Sequence, residues 1–202
     1  MSITISRVDR EFSPAEAADI TGVSVALQRD WRRRGILPEN KSGKWTKFAL
    51  TDVIQMSVMK SFSDAGFSVQ YVAEFASIAV LPTLAVLDSL PGVAVFEGDD
   101  ISDALKARTL GHSVAVRGPD GEVRGADQIG GRYLVMIKNP ATDNPSISRW
   151  NALDGLDDFM AEQKVVHCTI MDCHLLAELI AERAGPPLIR FEVSKSEEAG
   201  EE

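Results

Sequence analysis

The chain has 202 residues, 45% of them hydrophobic and 25% charged, with a net charge of −9 and two cysteines. That is the make-up of an ordinary soluble globular protein, long enough for one large or two small domains. No apolar run is long enough to span a bilayer, the first residues lack a signal-peptide core, and Cys168 and Cys173 make no disulfide framework, so a reducing cytoplasm is the expected compartment. The acidic balance is the wrong sign for a protein that merely coats nucleic acid. Its distribution matters more. Residues 1–80 carry 10 Lys and Arg against 9 Asp and Glu, whereas residues 81–202 carry 11 against 21. Within residues 29–47 seven basic residues face only Asp30 and Glu39, and DNA affinity follows such local charge rather than the global sum.

The first predicted helix opens at Ser13, a natural cap, followed by Pro14 and by Glu16 three residues after the cap. Ala17, Ala18 and Ile20 give it a small apolar face, and Thr21-Gly22 ends it. Ser24 caps a second helix in which Leu27 and Trp31 share one face. Gln28, Arg29, Arg32 and Arg33 occupy the others, available for groove or phosphate contact. Gly35 stops this helix and Pro38 forbids its continuation. Residues Glu39 to Phe48 are polar and basic with Trp45 and Phe48 as apolar anchors, and predict a two-stranded wing with Gly43 at its tip. Thr51 and Asp52 open a third helix carrying Val53, Ile54, Val58 and Phe62 at helical spacing. Gly66 breaks it, and Ser68 caps a fourth with Val69, Val72, Ala73 and Ala76 inward.

A short basic helix held by a tight turn fits a DNA major groove. The alternative is a generic helical bundle whose arginines are solvated surface. The order helix, turn, basic helix, wing, helix pair favours DNA. The expected contacts with double-stranded DNA are Ser24, Gln28, Arg29, Arg32, Arg33, Lys41, Lys44, Trp45 and Lys47, to which the resemblance below adds Trp31.

Gly22-Val23-Ser24, Arg29-x-Trp31, Gly35-Ile36-Leu37, the aromatic-basic wing and Ala65-Gly66-Phe67-Ser68 together resemble the MerR-type winged helix-turn-helix domain over about residues 12–76. The resemblance implies that the second helix enters the major groove and the wing grips the flanking backbone. It further implies Arg29 as a groove or phosphate contact, Trp31 as the match to a tyrosine near the sugar-phosphate backbone, and Lys44 and Lys47 near phosphates. Leu27 stands where a small hydroxyl residue is usual, and Gln28 where an apolar one is. Regulators of this family usually continue into a long helix that forms an antiparallel coiled coil. Here Pro82 and Pro91-Gly92 interrupt the chain and no heptad pattern is sustained. Only a short helix, Thr83 to Leu90, is expected there.

From Gly92 the pattern becomes mixed α/β. Val93–Phe96 is a short apolar run, and Asp99–Thr109 reads as a helix. Ser113–Arg117 and Glu122–Arg124 flank the turn Pro119-Asp120-Gly121 as a hairpin. Arg132–Lys138 alternates as a strand. Leu153–Gln163 reads as helix, Lys164–Met171 as strand, Asp172–Ala184 as helix and Leu188–Val193 as a final strand. The expected fold class is α+β, an N-terminal winged helix-turn-helix (1–80) joined to a C-terminal mixed α/β domain (81–193), with an acidic disordered tail (194–202).

His167-Cys168 and Asp172-Cys173-His174 hold metal-ligand residue types, but adjacent strand residues point to opposite faces and Cys-x4-Cys is not a zinc-knuckle spacing. A core role explains both thiols. The acidic clusters Glu97–Asp100 and Asp154–Asp158 read as a helix start and solvated surface. Gly118–Gly131 lacks the phosphate-loop spacing and lysine. His112 is isolated, and no nucleophilic triad can be assembled. No enzymatic activity, cofactor or metal is expected. The reading is a sequence-specific DNA-binding transcription regulator, expected as a homodimer, whose C-terminal domain serves oligomerisation, a small-molecule effector or a protein partner. The alternatives are an architectural or phage packaging or excision factor and, further off, a metal sensor or enzyme built on that domain.

Overall fold

The computed structural model describes residues 2–38, 47–112, 116–117, 123–124, 131–138 and 145–196. Among them the chain is mixed helix and sheet. Helices α1 (Pro14–Thr21), α2 (Val25–Arg33), α3 (Leu50–Asp64) and α4 (Val69–Ala73) come first, followed by a 3-10 turn over Ala76–Ala79 and by α5 (Val80–Ser89). Pro82 lies inside α5 rather than before it. It falls in the first turn, where a backbone N–H has no intrahelical partner to lose. The fifteen residues of α3 bury Val53, Ile54, Val58 and Phe62 as the spacing predicts, with Met56 and Met59 added.

Strand β1 (Ser2–Asp9), which no sequence signal announced, pairs antiparallel along its full length with β8 (Ile189–Ser196), from Ser2 opposite Ser196 to Asp9 opposite Ile189. On the other side of β8 runs β2 (Ala94–Gly98), parallel to it. Gly98 closes that edge: its φ is +105°, and a Cβ there would lie 2.2 Å from the Val193 carbonyl oxygen. Strand β8 carries on past Val193 through Ser194 and Lys195, into the segment read as a tail. Phe96 and Phe191 stack at 4.9 Å within this sheet.

Helix α6 (Asp103–His112) follows, later than the Asp99 start expected, and the short strands β3 (Val116–Arg117) and β4 (Val123–Arg124) pair antiparallel as the hairpin predicts. Its turn, Pro119-Asp120-Gly121, lies outside the described residues. A second sheet has the order β6-β5-β7, from β5 (Tyr133–Lys138), β6 (Pro145–Trp150) and β7 (Cys168–Asp172). Strand β6 has no counterpart in the sequence reading. Central β5 is buried on both faces. Leu134 and Met136 enter the main core, while Val135 and Ile137 pack beneath α7 (Leu156–Glu162) with Trp150, Phe159 and Met160. Burial on two sides, not one, is what a middle strand covered by helices requires.

Helix α8 (Cys173–Ala184) starts at Asp172, whose carboxylate accepts from the His174 N–H at 2.8 Å. Its inner face, Cys173, Leu176, Ala177 and Ile180, packs against α1 and α5. One continuous apolar core therefore runs from Phe12, Trp31 and Phe62 to Leu176, Ile180 and Phe191. Each such fully buried side chain contributes about 1.5–3 kcal/mol. No helix among the described residues is long and apolar enough to cross a membrane.

Candidate nucleic-acid interface

The basic helix α2 is held from both ends and from below. At its start, Gly22 caps α1 at φ +72° and donates to the Ala18 carbonyl at 2.9 Å. Thr21 folds its hydroxyl back to Ala17 O at 2.6 Å and accepts from the Val23 N–H at 3.1 Å, which fixes the turn. Ser24 then accepts from the Leu27 N–H at 3.2 Å as the N-cap. At the far end Gly35, at φ +71°, reverses the chain, and Ile36 donates to Trp31 O at 2.8 Å.

The inward side of α2 is wider than Leu27 and Trp31. Gln28, expected to be available to DNA, is 0% exposed; its Nε2 donates to Pro14 O and to Val23 O, both at 2.9 Å, and ties the start of α1 to the turn. Trp31, expected near the sugar-phosphate backbone, is 2% exposed and belongs to the core. Neither can touch a groove in this conformation. The reason is rotational: positions 28 and 31 are one turn apart and share the stripe that faces α1 and the core. The family pattern contained the warning, since it puts an apolar residue at Gln28's position.

The outward side is left to Ser24, Ala26, Arg29, Arg33 and Arg34, all exposed. The arginines of this segment are not equivalent. The Arg32 guanidinium lies over the Phe48 ring, 4.9 Å from its centre, in a cation–π contact. Arg33 and Arg34 both reach the Asp30 carboxylate, at 2.5 and 3.6 Å. Arg29 has no ion pair among the described residues. Lys47, also exposed, pairs with Glu11 at 3.1 Å. Lys41, Lys44 and Trp45, with the rest of the segment expected to form a wing between residues 39 and 46, lie outside the described residues. Beside that segment, Phe12 and Phe48 exchange two backbone hydrogen bonds of 2.8 Å.

The site is bolted to the rest of the chain. Arg10 donates to the Ala184 and Gly185 carbonyls at 2.9 and 3.0 Å and pairs with Glu16 at 2.8 Å, while Arg183 donates to Ile20 O. The Tyr71 hydroxyl donates to Pro145 O, joining α4 to β6. Glu16 completes a capping box with Ser13, and its carboxyl is lowered to about 2 by the Ser13 backbone N–H, then the Ser13 hydroxyl, then Arg10.

The cysteine and histidine cluster does not assemble into a centre. Cys168 packs with the Val135 and Ile137 cluster, whereas Cys173 is in the main core, where burial pushes its thiol up to about 11. Among the described residues no three His, Cys, Asp or Glu side chains are grouped to hold a metal ion.

Residues 12–77 match the model of the MerR HTH family regulatory proteins. The matched segment runs from Phe12, at the start of the core, to Ser77 beyond α4. No curated protein matches the chain. Residues 12–77 thus form a MerR-type helix-turn-helix domain, the module of a DNA-binding transcription regulator.

Proposed function

We propose that the protein is a sequence-specific regulator that lays α2 in the major groove of double-stranded DNA, with the 39–48 segment as a wing on the flanking backbone. The observation that carries this reading is the exposed row Ala26, Arg29 and Arg33 on the outward side of a helix lying within the matched family segment. These residues follow one another at helical spacing, so all three meet the same groove. Ser24, Arg32, Lys41, Lys44, Trp45 and Lys47 are the supporting phosphate contacts of the proposal. Residues 81–193 supply oligomerisation, effector sensing or a protein contact, and their excess of acidic residues keeps that surface off the phosphates. A homodimer reading two half-sites fits the small size of a single α2 footprint.

The test is duplex binding measured across a range of salt concentrations for Arg29→Ala and Arg33→Ala. Both variants bind more weakly with a shallower dependence on salt, and Arg29→Ala, whose side chain has no carboxylate partner among the described residues, shows the larger loss. Unchanged affinity and slope in both variants overturn the assignment of α2. Genome-wide footprinting then separates a regulator, bound at promoter-spaced operators, from an architectural factor spread over many sites.

A further inference from the structure

Asp30 is the one acidic residue of α2, and its side chain stands half-exposed on the helix proposed to meet DNA. Each of its carboxylate oxygens takes a different guanidinium: Oδ1 accepts from Arg33 Nη2 at 2.5 Å, and Oδ2 lies 3.6 Å from Arg34 Nη1. The spacings are i to i+3 and i to i+4, the two that a helix brings together. The Arg33 side chain is otherwise 81% exposed, and among the described residues this carboxylate is its one ion-pair partner.

We propose that Asp30 is a specificity-setting residue that withholds Arg33 and Arg34 from indiscriminate phosphate contact and leaves Arg29 as the cation of the helix that no carboxylate holds among the described residues. This rests on the reading of α2 as the groove helix. Phosphate contacts supply affinity without sequence information, while base contacts specify. A carboxylate that occupies two arginines lowers their phosphate contact on loosely matched DNA while Arg29 keeps its access to the groove. To recruit either arginine, a phosphate must displace the carboxylate and then tolerate it nearby, within a Debye length of about 8 Å. Loosely matched DNA does not return that cost; a closely fitted operator does.

The experiment uses the full chain and a random-sequence duplex of about 20 base pairs, titrated across roughly 0.05–0.2 M salt. Asp30→Asn keeps the shape and removes the charge. The expected result is tighter non-specific binding, about fivefold per released arginine near 0.15 M salt, with a slope steeper by about 0.9 for each new phosphate contact. Asp30→Glu, which keeps a carboxylate, stays near the parent slope. Removal of Arg33 and Arg34 together is then measured in both backgrounds. It reduces the slope more in Asp30→Asn than in the parent, because only there are the two arginines free. An equal reduction in both backgrounds means that Asp30 acts merely as a distant charge, and overturns the proposal. So does an Asp30→Asn slope no steeper than the parent's in protein that melts at the parent's temperature. If the parent shows no salt-dependent binding, or Arg29→Ala leaves binding unchanged, it is the groove assignment of α2 that fails instead.

Discussion

The Arg183 guanidinium, in the last turn of α8, donates a 2.9 Å hydrogen bond to the carbonyl of Ile20, in the last turn of α1. Terminal carbonyls of a helix lack intrahelical donors, and a cation there also complements the helix dipole. The bond therefore caps the first helix of the DNA-binding domain with a residue far along the chain. Arg183→Ala is expected to cost about 1–2 kcal/mol of stability. Because the core is continuous through both regions, the loss will show as one shifted transition in chemical denaturation, with fluorescence and circular dichroism coincident. Two separated transitions would contradict this coupling.

Gln28 gives a second prediction, and it separates structure from recognition. Gln28→Ala leaves the Pro14 and Val23 carbonyls without their donor and opens a small cavity, for an expected cost of about 2–3 kcal/mol. Below its melting temperature the variant will show the parent's salt slope on DNA, since no phosphate contact has gone. A change of base preference together with parent-like stability would instead place Gln28 on the reading face.

Arg7 and Asp88 behave as a pair. Arg7 Nη1 donates to both oxygens of Asp88 at 2.9 and 2.8 Å, and its Nε to Asp9 at 2.7 Å, joining β1 to α5. Asp88 is only 3% exposed. Arg7→Met removes the two Arg7 hydrogen bonds to that buried carboxylate and is expected to cost about 1.5–3 kcal/mol, whereas Arg7→Met with Asp88→Leu recovers part of it. Additive losses in the double variant, measured by urea denaturation, would mean the two do not act together.

Glu16 predicts a pH dependence whose sign follows from its shift. Its carboxyl is lowered from 4.5 to about 2 on folding, so the ionised form favours the native state. The contribution is complete above pH 4.5 and is lost as the pH falls from 4.5 towards 2. With its side chain 43% exposed in the Arg10 pair, solvent screening limits it to about 1 kcal/mol or less. Glu16→Gln will therefore narrow the stability difference between about pH 6 and about pH 3. An acid limb as steep as the parent's would remove Glu16 from the account.

Much of the DNA-binding domain was legible because its signals are local. Ser13 with Glu16, Gly22, Ser24, Gly35 and the Val53, Ile54, Val58 and Phe62 row each announce themselves within one or two turns, and each takes the place expected. The exposed arginines were likewise readable. What failed on α2 was the width of the buried stripe: a polar residue can be core when backbone carbonyls wait for it, as they do for Gln28. Strand β1 was invisible for a different reason. Ser2 to Asp9 shows weak alternation and few large apolar side chains, and it is a strand only because β8 lies beside it. Strand β6 depends in the same way on β5.

The β1–β8 ladder also sets an order of events. As the chain is made, Ser2–Asp9 emerges long before Ile189–Ser196 and lacks its β8 partner until that segment exists. So remote a pairing is slow to find, and until it forms the strand edge stands open to association with other chains. The same holds for Arg10 and Ile20, whose partners at Ala184 and Arg183 are among the later residues to appear. A nascent or truncated polypeptide that stops before Arg183 contains all of α2 yet lacks these anchors, so the packing of residues 12–77 is completed only when α8 and β8 have been made.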